Sequence, residues 1–239
     1  MNILNEIIKN KKQELKNHKS DKERFKKIFS KKNANIIWEI KLKSPTKYEM
    51  ISDEKKLENI YNFYWENKII KAISILIDKT YFNWDIIRWQ IIKQRYNKPI
   101  FFKEFVIDKK QIDWASYYWY DALLLLKRVL KNDVLINLIN YSLEKDIFPI
   151  VEVDNEKDLN EIIELSEKLE LWIAINSRNL WNMQIDINSH FTLYNKYKDK
   201  LANNLTFAFS WIDNLDDIKK YKNKYNWVLI WTYFMKNIE

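Results

Sequence analysis

Short apolar runs, rich in β-branched residues, alternate along this chain with longer amphipathic stretches. Residues 36–42 (IIWEIKL), 69–77 (IIKAISILI), 99–103 (PIFFK) and 121–126 (DALLLL) read as strands, as do 147–153 (IFPIVEV), 171–176 (LWIAIN), 205–210 (LTFAFS) and 227–232 (WVLIWT). Between them apolar side chains recur at helical spacing. After Ser52 and Asp53, Leu57, Ile60, Tyr61 and Tyr64 share one helix face. Further helices are predicted over 85–96, 109–118, 133–145, 156–169 and 214–225, with one more in the long stretch that runs to about Leu201. Ahead of the first strand, Ile3, Leu4, Ile7, Ile8 and Leu15 mark a helix over 3–17, followed by a polar, basic connector over 18–35.

Eight apolar strands separated by helices suit a parallel sheet buried on both faces. Right-handed crossovers repeated eight times close such a sheet into a (β/α)8 barrel of the α/β class. The expected organisation is one barrel domain over 1–239, with 1–35 as an extra N-terminal helix and connector. An open doubly wound sheet would carry a glycine-rich phosphate turn after its first strand, and none is visible.

In a barrel of this kind the site lies at the carboxyl ends of the strands. Those ends carry Glu39, Lys41 and Ser44, then Ser74 and Asp78, Lys103, Glu152, Asn176 and Arg178, Ser210 and Thr232. Glu39 and Lys41 are two apart and share one side of their strand, which Pro45 should end. Taken alone, that stretch reads equally as an edge strand with a surface ion pair. Lys103 and Glu152 each follow an apolar run that argues for burial, and a buried charge needs a partner. A ring of such charges facing one cavity would supply it.

Composition narrows the chemistry. Without cysteine there is no disulfide, thiol nucleophile or thiolate metal site. His18 and His190 fall in polar connectors and read as solvated; Asp154, Glu156 and Asp158 read as helix-start acids. No His/Asp/Glu cluster has ligand spacing, so neither metal nor cofactor is expected. The formal charge of +8 is scattered among acids instead of forming one basic face, which argues against a nucleic-acid partner. The N-terminus lacks a basic-then-apolar signal, and no apolar run approaches the ~18 residues of a membrane helix. The expectation is a cytoplasmic monomer with no membrane partner, acting on a small molecule.

The strand ends resemble, in order and spacing over nearly the whole chain, those of indole-3-glycerol phosphate synthases. The resemblance is carried by Glu39-Ile40-Lys41-x-x-Ser44-Pro45, Ala72-Ile73-Ser74-Ile75-Leu76, Tyr81-Phe82-Asn83 and Lys103-Glu104-Phe105-Val106-Ile107-Asp108. It continues through Gln111-Ile112, Asp121-Ala122-Leu123-Leu124-Leu125, Val151-Glu152-Val153, Ile175-Asn176-Ser177-Arg178-Asn179-Leu180, Ser210-x-Ile212 and Leu229-Ile230-x-Thr232. It implies a (β/α)8 lyase that closes a ring on 1-(2-carboxyphenylamino)-1-deoxyribulose 5-phosphate, losing CO2 and water to give indole-3-glycerol phosphate in tryptophan biosynthesis. It further implies that Lys103 is the general acid, Glu152 its acid–base partner in the dehydration, Glu39 a group that orients and tunes both, and Asn176 a ligand of substrate hydroxyls. Lys41 and Ser44 would bind the substrate. Arg178, Ser210, Thr232 and backbone N–H groups at Trp211 and Trp231 would hold its phosphate. The chain departs from the family at Phe209, where Glu is usual, at Glu104, where Asp is usual, and in ending too soon after strand eight for a full final helix. Another phosphate-binding barrel enzyme, such as phosphoribosylanthranilate isomerase, would not need Glu39, Lys41, Lys103 and Glu152 together. A non-catalytic basic scaffold would show a continuous Lys/Arg face.

Glycine is absent, and there are 11 tryptophans. In the family's pattern Trp84, Trp119, Trp172, Trp211 and Trp231 fall on glycines, and Trp38 and Trp181 on small residues. Trp119 stands between a helix and a strand, where a glycine C-cap is usual. One explanation covers both oddities: UGA codons that mean glycine in the source organism are written here as tryptophan.

Overall fold

The computed structural model describes residues 34–40, 54–77, 98–180, 182, 184–210, 212 and 214–230, together with Lys9 and Phe29. The chain divides into two compact units, 1–31 and 32–239. In the first, Lys9 and Phe29 are both helical. The expected helix over 85–96, the residues after Ile230, and most of the segment ahead of the first strand lie outside the described residues.

The second unit is the barrel. Its strands are β1 (Asn35–Ile40), β2 (Ile70–Leu76), β3 (Ile100–Lys103), β4 (Ala122–Leu126), β5 (Phe148–Val153), β6 (Trp172–Asn176), β7 (Thr206–Phe209) and β8 (Trp227–Ile230). Its described helices are α1 (Glu54–Glu66), α2 (Lys109–Tyr117), α3 (Asn132–Glu144), α4 (Glu156–Ser166), α5 (Asn188–Tyr197) and α6 (Ile218–Tyr221). The strands pair in chain order, and β1 pairs in parallel with both β2 and β8, closing the barrel.

Each strand buries both faces, and alternate residues go to different places. Ile36, Trp38 and Ile40 of β1, Val151 and Val153 of β5, and Ile173 and Ile175 of β6 join one apolar cluster with Ile60, Ile112, Leu138 and Ile162 of the helices. The opposite parity fills the barrel. Phe148 stacks on Trp172 at 4.5 Å and 14°, Trp172 on Phe207 at 5.7 Å, and Phe207 on Trp227 at 6.4 Å. This aromatic layer makes the lower barrel a packed core. Four residues further along β5 and β6, past Ile150 and Ala174, the same parity presents Glu152 and Asn176.

Local chemistry sets the helix ends. Asp108 caps α2 and completes a capping box with Gln111. At the other end, Trp119 N–H bonds Ser116 O and Tyr120 N–H bonds Ala115 O, a Schellman pair with Trp119 in the left-handed region at φ 60°. The helix expected over 214–225 is a correction: only Ile218–Tyr221 is helical. Asn214 Oδ1 accepts Asp217 N–H, and Ile218, Lys219 and Lys220 bond carbonyls three residues back, so the segment is spent in tight turns.

Candidate active site

Four interior side chains meet at the carboxyl ends of β1, β3, β5 and β6. Lys103, the last residue of β3, donates from Nζ to Glu39 Oε2 at 2.5 Å. Glu39 is 6% exposed and Glu152 only 3%. Asn176, the last residue of β6, donates from Nδ2 to Glu152 Oε1 at 2.7 Å, and its Oδ1 accepts Arg178 N–H at 2.9 Å. Glu152 Oε2 is buried and makes no hydrogen bond to any described residue, which leaves it available to a ligand in the barrel mouth.

Strand parity dictates this meeting. Glu39, Lys103, Glu152 and Asn176 all point opposite to the neighbours that pack against the helices. The charges then tune one another. Burial alone would depress the Lys103 ammonium, but Glu39 and Glu152 outweigh it and hold Lys103 above the ordinary lysine range, with Arg178 opposing them. Burial raises the Glu152 carboxyl; Lys103 and the Asn176 hydrogen bond offset this only in part, while Glu39 and Asp154 add to it. An ammonium kept charged beside a carboxyl kept easy to protonate is a pair built for proton transfer.

Phe209 also belongs to this layer. It closes β7 at 2% exposed, and Lys103 Nζ stands 5.6 Å from its ring centroid, a cation–π distance. The sequence marks Phe209 only as a departure from the family; nothing in it announces the contact. Ser74, paired in register with Glu39, is buried in the same parity. Ser210 follows Phe209 in the left-handed region at φ 74°, and Ser177 Oγ donates to its carbonyl at 3.3 Å. Arg178 is half-buried and bridges to Ile185 across a short hairpin over the mouth. Lys41, Ser44, Asp78, Trp211, Trp231 and Thr232 lie outside the described residues.

Two expectations are corrected. His190 is fully buried, not solvated. Its Nε2 lies 3.1 Å from Ile175 O and 2.8 Å from Phe209 O, and its Nδ1 lies 3.1 Å from Tyr221 OH. With two carbonyls at Nε2, that nitrogen carries the proton and Nδ1 accepts from the tyrosine. Burial lowers the imidazole to about 4, so it stays neutral. His190 shares the inward face of α5 with Leu193 and Tyr194, a helical spacing that the sequence carries although Asn188 and Ser189 ahead of it are polar. Asp154 is not a helix-start acid. Asn155 caps α4 and Glu156 and Asp158 sit in its first turn, whereas Asp154 faces Arg128 and Leu180.

A closed parallel barrel that gathers an ammonium, two carboxyls and a carboxamide at the carboxyl ends of its strands defines a (β/α)8 enzyme of acid–base chemistry. The family model for indole-3-glycerol phosphate synthase matches residues 3–239. The chain belongs to the indole-3-glycerol phosphate synthase family, carboxy-lyases of tryptophan biosynthesis. It is 35% identical over 222 residues to the indole-3-glycerol phosphate synthase of Clostridium acetobutylicum, covering 92% of this chain and 80% of that one. Against the synthase of Staphylococcus aureus (strain Newman) it is 30% identical over 235 residues, covering 92% and 86%. It is also similar, at 35% over 199 residues, to the tryptophan biosynthesis protein TrpCF of Buchnera aphidicola subsp. Diuraphis noxia; 78% of this chain matches 43% of that one. Among solved structures, a mutant tryptophan synthase α-subunit from Pyrococcus furiosus superposes with a TM-score of 0.61 at 12% identity, covering 86% of this chain and 90% of that one, a likeness of fold alone.

Proposed function

We propose that the ring closure characteristic of this family is carried by Lys103 and Glu152. The supporting observation is the Lys103 ammonium, held by Glu39 at 2.5 Å and charge-coupled to Glu152 at the strand ends. Lys103 donates a proton to the substrate carbonyl oxygen as the ring carbon attacks, so the developing alkoxide becomes a hydroxyl on the new five-membered ring. Loss of CO2 leaves its bonding pair on the ring carbon, which restores the aromatic ring and neutralises the iminium nitrogen, and the hydroxyl is lost later as water. Glu152 then exchanges a proton as water departs, with Asn176 fixing its Oε1 and reaching substrate hydroxyls. Glu39 orients Lys103. Arg178, Ser210 and Thr232, with Lys41, Ser44 and the N–H groups at 211 and 231, bind the phosphate and carboxylate ends. The proposed setting is a cytoplasmic monomer.

We further propose that the tryptophans on family glycine positions are glycine in the native protein, from UGA read as glycine. Trp119 supports this: a bulky side chain at φ 60° is a steric outlier at a position where a Schellman turn wants glycine. Mass spectrometry of protein from its own host decides; a mass carrying 11 indoles rejects the idea.

The function is tested by following indole-ring fluorescence from the ribulose phosphate substrate, on protein with glycine at the tryptophan positions. Lys103→Ala is expected to remove turnover, by roughly a hundredfold or more. Unchanged turnover in that variant removes the proposed acid.

A further inference from the structure

Asp154 follows β5 directly, and its side chain is 1% exposed. A carboxylate so buried needs several donors, and it has them from three successive strand–helix loops. Arg128, in the turn after β4, reaches it with Nε at 2.8 Å from Oδ2 and 3.0 Å from Oδ1, and with Nη2 at 2.7 Å from Oδ1. Leu180 N–H, after β6, donates to Oδ2 at 2.7 Å, and Asn155 Nδ2 donates to Oδ1 at 3.0 Å. These donors hold the Asp154 carboxyl below its usual range against the burial that would raise it.

Two consequences reach the site. Leu180 lies in the hairpin that carries Arg178, closed by the Arg178–Ile185 bridge, by Asn179 N–H to Gln184 O at 2.8 Å and by Asp186 N–H to Ser177 O at 2.9 Å. Gripping Leu180 therefore anchors the whole hairpin over the mouth. Asp154 also stands two residues beyond Glu152, just past the end of β5, and its charge acts on Glu152. We propose that Arg128 and Asp154 form a positioning pair for this site, anchoring the Arg178 hairpin and setting the net charge that Glu152 faces from beyond the end of β5.

The pair rests on the reading of Glu152 and Arg178 given above. Glu152 faces Lys103 from β3, Glu39 from β1, Asn176 from β6 and Asp154 from just past the end of β5. Of these, only the Asp154 contribution is controlled by Arg128. Removing the Asp154 charge should ease ionisation of Glu152; stripping Arg128 from Asp154 should hinder it. A purely structural clamp would not move Glu152 in opposite directions.

The test is a pH titration of the full chain labelled with 13C at glutamate carboxyls, with the Glu152 signal assigned by its loss in Glu152→Gln. Asp154→Asn, which is isosteric, is expected to lower the Glu152 midpoint by about half a pH unit, and Arg128→Met to raise it by a similar amount. Arg128→Lys should restore most of the wild-type value. In the turnover assay both disruptive variants should lose roughly ten- to a hundredfold in kcat/KM, mostly through KM, because the Arg178 hairpin is loosened. A Glu152 midpoint unmoved in Asp154→Asn overturns the proposal. If Arg128→Met does not fold, Asp154→Asn and Arg128→Lys decide alone. Wild-type turnover in Glu152→Gln with shifted midpoints in the pair variants removes the catalytic reading of Glu152 and leaves the pair standing.

Discussion

Lys103 Nζ lies 2.5 Å from Glu39 Oε2, although the two residues are 64 positions apart and belong to strands separated by β2. The bond decides which charge state the lysine keeps. Lys103 must be protonated to act as an acid, and the two carboxylates hold it above the ordinary lysine range. Its activity should therefore persist into alkaline pH and fall only as pH passes that raised value. Glu39→Gln is expected to bring the alkaline limb of the kcat profile down, with turnover at neutral pH reduced roughly tenfold. A limb that stays in place would mean that Glu39 does not tune the acid.

Asn176 holds Glu152 by one hydrogen bond and the Arg178 backbone by another. Asn176→Ala removes both and leaves Glu152 buried with less support. Its carboxyl should rise further, and kcat/KM should fall by roughly two orders of magnitude. Asn176→Asp should be worse than Ala at neutral pH, because a second carboxylate would then face Glu152. Steady-state kinetics of the two variants rank them directly.

His190 makes stability depend on pH in a defined window. Its folded value, about 4, lies below the 6.5 of an ordinary histidine, so the unfolded chain binds the extra proton first. Stability is thus fully present above pH 6.5 and is lost as pH falls towards 4, by roughly 3 kcal/mol in all. Urea melts of wild type and His190→Gln across this range should show a slope that the variant lacks. Equal slopes would place the acid sensitivity elsewhere.

Trp119 offers the sharpest stability test. Trp119→Gly should stabilise the barrel by about 1 kcal/mol, since the left-handed region costs a bulky residue and suits glycine. Trp119→Ala should gain far less. Asp146 provides the control: it occupies the same place after α3, at φ 62°, but aspartate tolerates that region better. Asp146→Gly should change stability by only a few tenths of a kcal/mol, read from the same denaturant midpoints.

Most of the barrel was legible because its strands are continuous apolar runs and its helices carry one apolar stripe. Where both are described, the strand ends differ from the expected ones by at most one residue. The set Glu39, Lys103, Glu152 and Asn176 was legible too, since each is a polar residue at or near the carboxyl end of an apolar run. What stayed hidden depends on rotation or on partners far away in sequence. His190 follows polar Asn188 and Ser189, and the rotation of α5 puts it on the inward face with Leu193 and Tyr194. Asp154 reads like any acid before a helix until Arg128 and Leu180 arrive from neighbouring loops. The helix over 214–225 failed because its periodicity is real while Asn214 and Asp217 favour local side-chain bonds over helical ones.

The stacked rings of Phe148, Trp172, Phe207 and Trp227 lie deeper in the barrel than the site, with Ile150 and Ala174 between them and Glu152 and Asn176. An indole at 172 plugs the space between two phenyl rings; a hydrogen atom there would leave a dry hollow under Glu152 and Asn176. Under the proposed glycine reading of position 172 the same chemistry would rest on a vault instead of a solid foundation, and a small apolar probe such as xenon would settle only in the vault.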